Sequence, residues 1–262
     1  MFKRLLLALL LLSTSTICVA KSSIVTLSPA NTIIFRDMVD ADSVSRAVLK
    51  LSTNHSDTVY FYIYSPGGNI VDGFRLIDTI KVLAATGKNI VCIADYAASM
   101  AFSILQACPK RLALENAVIM QHQAATTMQG QLSRIQSDMK LTESLVNKLH
   151  SGDATRLGLT LEQFRAKIDN DWWMFDTEIV DNKAADGMVL VKCDNALALA
   201  TYKDVYRSIL GDVIVTWSSC PLTYTPVAVD LHPTPGINIE MFLHWMSTLP
   251  IDGTWKERKA FR

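Results

Sequence analysis

Short apolar runs alternate with stretches of helical spacing between residues 31 and 192. The run Val59–Tyr64 is almost continuous, as expected for a strand buried on both faces of a sheet. Alternation of this kind is typical of a layered α/β domain with a mainly parallel sheet. The predicted strands are Thr32–Phe35, Val59–Tyr64, Asn89–Ala94 and Val118–Gln121, and the predicted helices are Ala41–Leu51, Val71–Ala84, a helix from Ser99 to about Ala107, and Gln131–Leu149.

The long predicted helix Gln131–Leu149 admits two interpretations. It is polar enough to project from the domain, and its Ile, Met and Leu side chains suit the binding of a partner. An ordinary amphipathic helix packed on its own domain fits the same pattern equally well.

The composition changes after about residue 193. Five of the eight prolines lie beyond this point, together with Trp217, Trp245 and Trp255. Because disordered segments are poor in aromatic residues, we expect an ordered carboxy-terminal extension. Helical intervals predict a short amphipathic helix over Ile237–Leu249. We therefore divide the chain into residues 1–20, 21–192 and 193–262.

The first twenty residues have the pattern of a secretory signal peptide. Lys3 and Arg4 precede the apolar run Leu5–Leu12, and Cys18-Val19-Ala20 ends in small residues. The run is shorter than the roughly 20 residues that span a bilayer. We expect cleavage near Ala20 and a periplasmic or secreted protein.

The charges are balanced, with 25 basic and 25 acidic residues. This balance favours neither nucleic acid nor a strongly charged substrate as a partner.

Four cysteines remain after the predicted cleavage: Cys92, Cys108, Cys193 and Cys220. In an oxidising compartment they permit two disulfides, with three possible connectivities. We prefer a Cys193–Cys220 pair, because both residues lie in or beside the extension. Cys92 and Cys108 lie in apolar stretches, where buried free thiols are the simple alternative. No CxxC or Cys/His spacing is present, so we expect no metal and no cofactor.

Ser99 follows a predicted buried strand and the small residues Ala97 and Ala98, and it begins a helix. A tight strand-to-helix turn of this kind exposes a nucleophilic hydroxyl, and the helix start favours a developing oxyanion. The G-x-S-x-G form is absent, and an ordinary N-cap serine fits the local pattern as well. Gly67 and Gly68 form a second such turn, and the two turns should converge at one edge of the sheet.

His122 ends a predicted strand, where its imidazole can face the same crevice. A serine nucleophile needs such a base, and the base needs a carboxylate to hold its tautomer. Spacing does not choose among the candidate carboxylates, which are Asp169, Asp171, Asp176, Asp181 and Asp186.

Three segments in this order resemble the signatures of the ClpP-type serine peptidases. They are Tyr62-Ile63-Tyr64-Ser65-Pro66-Gly67-Gly68, Ala97-Ala98-Ser99-Met100 and Ile119-Met120-Gln121-His122-Gln123. The similarity extends through Gly130-Gln131 and Leu161-Glu162-Gln163 and covers about residues 31–192. It implies a crotonase-like α/β fold, with Ser99 as nucleophile, His122 as general base, Asp171 as the carboxylate, and the Gly68 and Met100 amides as the oxyanion hole.

The resemblance also implies partners. Subunits would form a homo-oligomeric ring through Gln131–Leu149, and the substrate would be a peptide or unfolded protein. An exported member would lack ATP, so we expect no ATP-driven unfoldase.

The chain departs from the usual family pattern at several positions. Ala101 and Ala124 replace a glycine and a proline, and Thr126-Thr127 replaces a Gly-Gly pair. Trp172 and Trp173 beside Asp171 are bulky enough to reshape the pocket or bury the carboxylate.

The leading hypothesis is an exported serine endopeptidase that acts through an acyl-enzyme. One alternative is a Ser/Lys peptidase resembling signal peptide peptidase, in which Lys88 or Lys110 replaces His122 as the base. The other is a catalytically inactive ClpP-like assembly or binding protein, because a shared fold does not guarantee a shared activity.

Overall fold

The computed structural model of the protein describes residues 23–249. The predicted signal peptide and Trp255 lie outside the described residues. The strands are β1 (Ser23–Leu27), β2 (Thr32–Phe35), β3 (Thr58–Ser65), β4 (Asn89–Ala98), β5 (Lys110–Gln121), β6 (Trp172–Phe175), β7 (Met188–Cys193), β8 (Thr201–Ser208), β9 (Gly211–Ser218) and β10 (Ala228–Pro233). The helices are α1 (Ala41–Thr53), α2 (Ile70–Ala85), α3 (Met100–Gln106), α4 (Leu132–Leu157), α5 (Leu161–Lys167), α6 (Glu178–Asp181), α7 (Asn195–Leu199) and α8 (Ile239–Ser247).

A seven-stranded sheet forms the centre of the molecule. Six strands are parallel, in the order β1-β7-β5-β4-β3-β2, and β6 pairs antiparallel with the end of β5. Helices α1, α2 and α3 follow successive strands and pack with them in one apolar core. The predicted α/β class with a mainly parallel sheet is confirmed.

Helix starts follow from local hydrogen bonds. The Asp40 side chain accepts from the Ser43 amide in a capping box before α1, and Asn69 accepts from the Val71 and Asp72 amides before α2. Such oxygens satisfy amides that lack a partner in the first helical turn. The predicted helices at 41–51 and 71–84 are confirmed within two residues at either end.

Two central strands are longer than predicted. β4 continues to Ala98, and β5 begins at Lys110 rather than Val118. The register between them shifts between Ala94 and Tyr96, so an irregularity interrupts the pattern that would have revealed the full length.

Helix α4 is packed on the domain only near its carboxy-terminal end. Its buried residues begin at Leu149, whereas Leu132, Met139 and Leu141 are exposed. At 1.5 Å per residue, its 26 residues span about 39 Å. The first half of α4 therefore fits the interpretation of a projecting helix. Its last turns fit the interpretation of a helix packed on its own domain.

The extension is ordered in the described residues, as predicted. β8, β9 and β10 form an antiparallel sheet, and the predicted helix appears as α8, which buries Phe242 against Val213 and Val215. Leu197 of α7 packs against the central sheet. Two further contacts hold the extension there: Arg36 donates to the Pro221 and Thr223 carbonyls, and Tyr224 bonds Asp95.

Both cysteine pairs are joined. The preferred Cys193–Cys220 disulfide is confirmed. Cys92 and Cys108 also form a disulfide, so the interpretation of two buried free thiols is wrong. The sequence pattern identified their burial but not that β4 and the end of α3 bring the two sulfurs together. No helix within residues 23–249 is long and apolar enough to cross a membrane.

Candidate active site

Ser99 occupies a sharp turn between β4 and α3. Its backbone has φ 54° and ψ −122°, a region that non-glycine residues rarely adopt. The Ser99 amide donates to the Met120 carbonyl at 3.0 Å, so the β4–β5 ladder extends into the turn. The side chain makes no capping hydrogen bond to α3. Ser99 therefore has the geometry of a nucleophile elbow and not the bonding of an N-cap serine.

The glycine pair packs directly against this turn. A Cβ on Gly67 would lie 2.5 Å from the Ala98 carbonyl oxygen and 2.7 Å from the Met100 nitrogen. Gly67 also has a φ of +89°, which disfavours any side chain there. Gly68 lies against Val39, and its own amide takes no part in the bonds that join Val39 to Gly67 and Asn69. The two predicted turns thus meet at one edge of the sheet.

His122 follows the last residue of β5 and reaches the same edge. Its Nε2 atom lies 2.9 Å from the Ser99 Oγ, a hydrogen-bond distance. The register explains the pairing, because Ala98 lies opposite Met120 in adjacent parallel strands. The side chain of His122 is 33 % exposed, so a substrate can approach the pair.

Asp171 lies beside the imidazole on its other side. Its Oδ1 is 3.8 Å from the His122 Nδ1, which is ion-pair range but longer than a hydrogen bond. In the antiparallel pairing, Trp172 of β6 lies opposite Gln121 of β5, so Asp171 comes opposite His122. The carboxylate is 57 % exposed and therefore restrains the ring only weakly.

The other candidate carboxylates lie elsewhere. Asp169 accepts a hydrogen bond from Gln123. Asp186 bonds Arg111 and Arg156, and these arginines hold the pKa of its carboxyl below its ordinary value despite partial burial, which acts to raise it. Asp176 and Asp181 lie around α6, beyond the end of β6 that is distant from His122.

Neither tryptophan beside Asp171 buries the carboxylate. Trp172 packs against Phe164 and lies under the Lys167 ammonium, and Trp173 is itself partly exposed. Of the two effects that the bulk of these rings allowed, burial of Asp171 does not occur, since its carboxylate is 57 % exposed.

Lys88 and Lys110 lie far from Ser99. Lys88 precedes β4 and donates to the Asn54 carbonyl, and Lys110 begins β5. Ser99 lies at the opposite end of both strands, about 30 Å away along β4 at the usual rise per residue. This placement does not favour the Ser/Lys alternative.

The sequence pattern did not predict a buried polar cluster that lies beneath His122. It consists of Ser103, Gln121 and Asp153, which are all at least nine-tenths buried. Ser103 and Gln121 interrupt otherwise apolar stretches of α3 and β5, and a polar residue at an apolar position is the signal that would have found them. Asp153 lies on α4, and nothing in its local sequence joins it to the other two.

A serine hydroxyl within hydrogen-bond distance of a histidine, at the carboxyl ends of parallel strands, is the arrangement found in serine hydrolases. A sequence model of the Clp protease family, described as Clp protease, matches residues 19–189. The ATP-dependent Clp protease proteolytic subunit 2 of Synechococcus sp. (strain CC9605) is 32% identical over 161 residues, which cover 58% of this chain and 80% of that protein. The chain belongs to the Clp protease family, a family of serine-type peptidases.

Proposed function

We propose that the protein is a serine endopeptidase with Ser99 as its nucleophile and His122 as its general base. The 2.9 Å contact between the Ser99 Oγ and the His122 Nε2 is the observation that carries this proposal. Family membership supports peptide-bond hydrolysis as the reaction.

In the proposed mechanism, His122 Nε2 takes the hydroxyl proton as Ser99 Oγ attacks the carbonyl carbon of the scissile peptide bond. The amides of Gly68 and Met100 then donate to the oxyanion. His122 returns the proton to the leaving amine, and an acyl-enzyme remains on Ser99. Water, deprotonated by the same imidazole, attacks the ester and releases the acid. The negative charge of Asp171, 3.8 Å from His122 Nδ1, favours the tautomer that carries its proton on Nδ1 and leaves Nε2 as the acceptor of the Ser99 proton.

Labelling by a fluorophosphonate probe tests the nucleophile. Wild-type protein should be labelled, and Ser99→Ala should not be labelled and should lose at least about a thousandfold in kcat on unfolded casein or a peptide library. Persistent labelling of Ser99→Ala would remove the assignment. Wild-type protein with neither labelling nor cleavage would instead identify the inactive assembly or binding protein.

The base and the carboxylate are tested by matched pairs. His122→Ala should abolish cleavage, whereas Lys110→Ala should retain it; the reverse result would favour the Ser/Lys alternative.

Asp171→Asn should lower kcat, whereas Asp169→Asn should leave kcat unchanged, because Asp169 is an exposed neighbour that contacts Gln123. Equal effects of the two aspartate variants would contradict the role of Asp171.

The exposed half of α4 supports assembly into a homo-oligomer, as in the Clp protease family. Leu132, Met139 and Leu141 are its exposed large apolar side chains. Replacing all three by Glu should convert the assembly into smaller species in sedimentation velocity. An unchanged sedimentation coefficient would place the interface elsewhere.

We also propose that the protein works outside the cytoplasm and cleaves short or unfolded chains without an ATP-driven unfoldase. The amino-terminal pattern supports export, and the two disulfides suit an oxidising compartment. Mass spectrometry of the protein from periplasmic and culture fractions should find an amino terminus near Lys21. Cytoplasmic protein that retains residues 1–20 would contradict export.

A further inference from the structure

Ser103, Gln121 and Asp153 form a hydrogen-bonded cluster beneath His122. The Ser103 hydroxyl donates to Asp153 Oδ2 at 2.7 Å. The Gln121 amide nitrogen lies 3.3 Å from the same oxygen and 3.2 Å from the Ser103 Oγ. Gln121 then accepts, through its Oε1, from the His122 backbone amide at 3.0 Å. An unbroken chain of hydrogen bonds thus runs from a buried carboxylate to the main chain of His122.

The cluster joins the two elements that carry the reacting side chains. Ser103 lies one turn after Ser99 in α3, and the Ser103 amide is directed at the Ser99 carbonyl. Gln121 is the last residue of β5 before His122. Asp153 of α4 bonds both side chains, so it couples the position of the serine turn to that of the histidine.

The carboxylate on the other side of the His122 imidazole restrains the ring only weakly. Asp171 lies 3.8 Å from Nδ1 and is more than half exposed, so solvent competes for the contact. A buried cluster in a region of low dielectric gives a firmer restraint than an exposed ion pair.

The carboxylate is also an expensive group to bury. No Lys, Arg or His within residues 23–249 forms an ion pair with Asp153, and burial raises its pKa to about 7 against the opposing effects of the Ser103 and Gln121 hydrogen bonds and the Lys81 charge. Costly buried groups with perturbed pKa values are concentrated at functional sites.

We propose that Asp153 is a positioning residue for catalysis, which holds Ser103 and Gln121 so that His122 keeps its imidazole directed at Ser99. The proposal rests on the proposed peptidase function. It assigns no contact with substrate to Asp153.

Two substitutions of Asp153 distinguish the effect of its acceptor oxygen from the effect of its negative charge. Asp153→Leu removes the acceptor and leaves Gln121 free to turn. Asp153→Asn retains an acceptor oxygen for Ser103 and Gln121. Gln106→Leu is the matched control, because Gln106 is equally buried and hydrogen-bonded, to Arg111 and the Ala184 carbonyl, but has no contact with His122.

Amide hydrogen exchange gives a readout that does not depend on activity. In Asp153→Leu, the His122 amide should exchange at least about tenfold faster, since its acceptor Gln121 is no longer held. The Ser99 amide, which donates to Met120 in the strand ladder, should keep its protection and serves as the internal reference. Asp153→Asn and Gln106→Leu should leave the His122 amide protected.

Peptide kinetics give the second readout. Asp153→Leu should lower kcat by about ten- to a hundredfold with KM within about twofold, because a misplaced base slows the chemistry and not binding. Asp153→Asn should stay within about threefold of wild type, and Gln106→Leu should match it. Wild-type kcat in Asp153→Leu, or equal losses in Asp153→Leu and Gln106→Leu, would overturn the positioning role.

The pH profile separates the role of the acceptor from that of the charge. The charged side chains that line the same cavity as Asp153 are Asp78 and Lys81 of α2 and Lys148 and Arg156 of α4. A protonated Asp153 still offers a carbonyl oxygen to Ser103 and Gln121, as Asp153→Asn does, so the acid limb of log kcat/KM should have a slope of about one in both proteins. A slope near two in wild type that falls to one in Asp153→Asn would mean that the charge and not the acceptor positions His122, and would overturn the proposal. Wild-type protein without fluorophosphonate labelling would overturn the proposed function itself, whatever the exchange data.

Discussion

Breaking the Cys92–Cys108 disulfide should lower the free energy of unfolding without changing the folded active site. The two sulfurs flank Ser99 in the chain, with Cys92 in β4 and Cys108 just after α3. A cross-link stabilises mainly by reducing the entropy of the unfolded chain. The turn itself is held separately, by the hydrogen bond from Ser99 to Met120.

The loop length sets the expected size of the effect. A sequence separation of 16 corresponds to about 3 kcal/mol in the loop-entropy treatment. The Cys193–Cys220 disulfide, with a separation of 27, corresponds to about 3.5 kcal/mol. For a domain of this size, about 3 kcal/mol lowers the thermal midpoint by about 6–12 °C.

Reduction in two backgrounds isolates each cross-link. In a Cys193→Ala, Cys220→Ala protein, reductant breaks only the Cys92–Cys108 bond and leaves both sulfurs in place, so no cavity forms. The reciprocal Cys92→Ala, Cys108→Ala protein provides the matched control for the extension. Calorimetry measures the midpoint, and peptide cleavage at 25 °C measures the folded site.

Two results would refute this reasoning. A shift of less than about 2 °C on reduction would contradict the entropic stabilisation by this loop. Loss of cleavage at 25 °C in protein that calorimetry shows to be folded would mean that the disulfide shapes the native site and does not act on the unfolded chain.

The remaining predictions concern backbone space and pH. Gly67→Ala should lower the free energy of unfolding by about 1–3 kcal/mol, because the added Cβ would clash with the Ala98 carbonyl oxygen. It should also abolish labelling by the fluorophosphonate probe. Gly87→Ala, with a similar positive φ and open space, should cost less in urea titrations; equal costs would contradict a steric cause. Burial lowers the pKa of His150 to about 4, so stability should fall as the pH drops from about 6.5 towards 4, and less in His150→Leu. The raised pKa of Asp153 has the opposite sign, so stability should fall as the pH rises from about 4 to 7, and Asp153→Asn should be more stable than wild type at pH 8.

The sheet and the Ser99 turn were accessible to sequence reasoning because their signals are local. Apolar runs of strand length and helical spacing are visible within a few residues, and so is a small-residue turn. The convergence of Gly67, Ser99 and His122 also follows, since the carboxyl ends of neighbouring parallel strands share an edge. The irregular register near Ala94 disrupted the pattern and shortened the predicted strands.

The choice of Asp171 among the carboxylates depended on family resemblance, and the residue spacing alone left it open. Only the antiparallel register of β5 and β6 places it opposite His122. The same limit applies to the Cys92–Cys108 pair, whose sulfurs meet across a strand and a helix.

The sequence by itself determined the α/β class, the family, the order of the site segments and the ordered extension. Tertiary structure alone decided which carboxylate approaches His122, that Trp172 leaves Asp171 exposed, and that Asp153 of α4 bonds Ser103 and Gln121 in a buried cluster. The physical reason is the distance along the chain over which each kind of interaction acts. Periodicity and turn chemistry act between residues close in the chain, whereas strand register and helix packing join residues far apart, and no local pattern records which ones they will be.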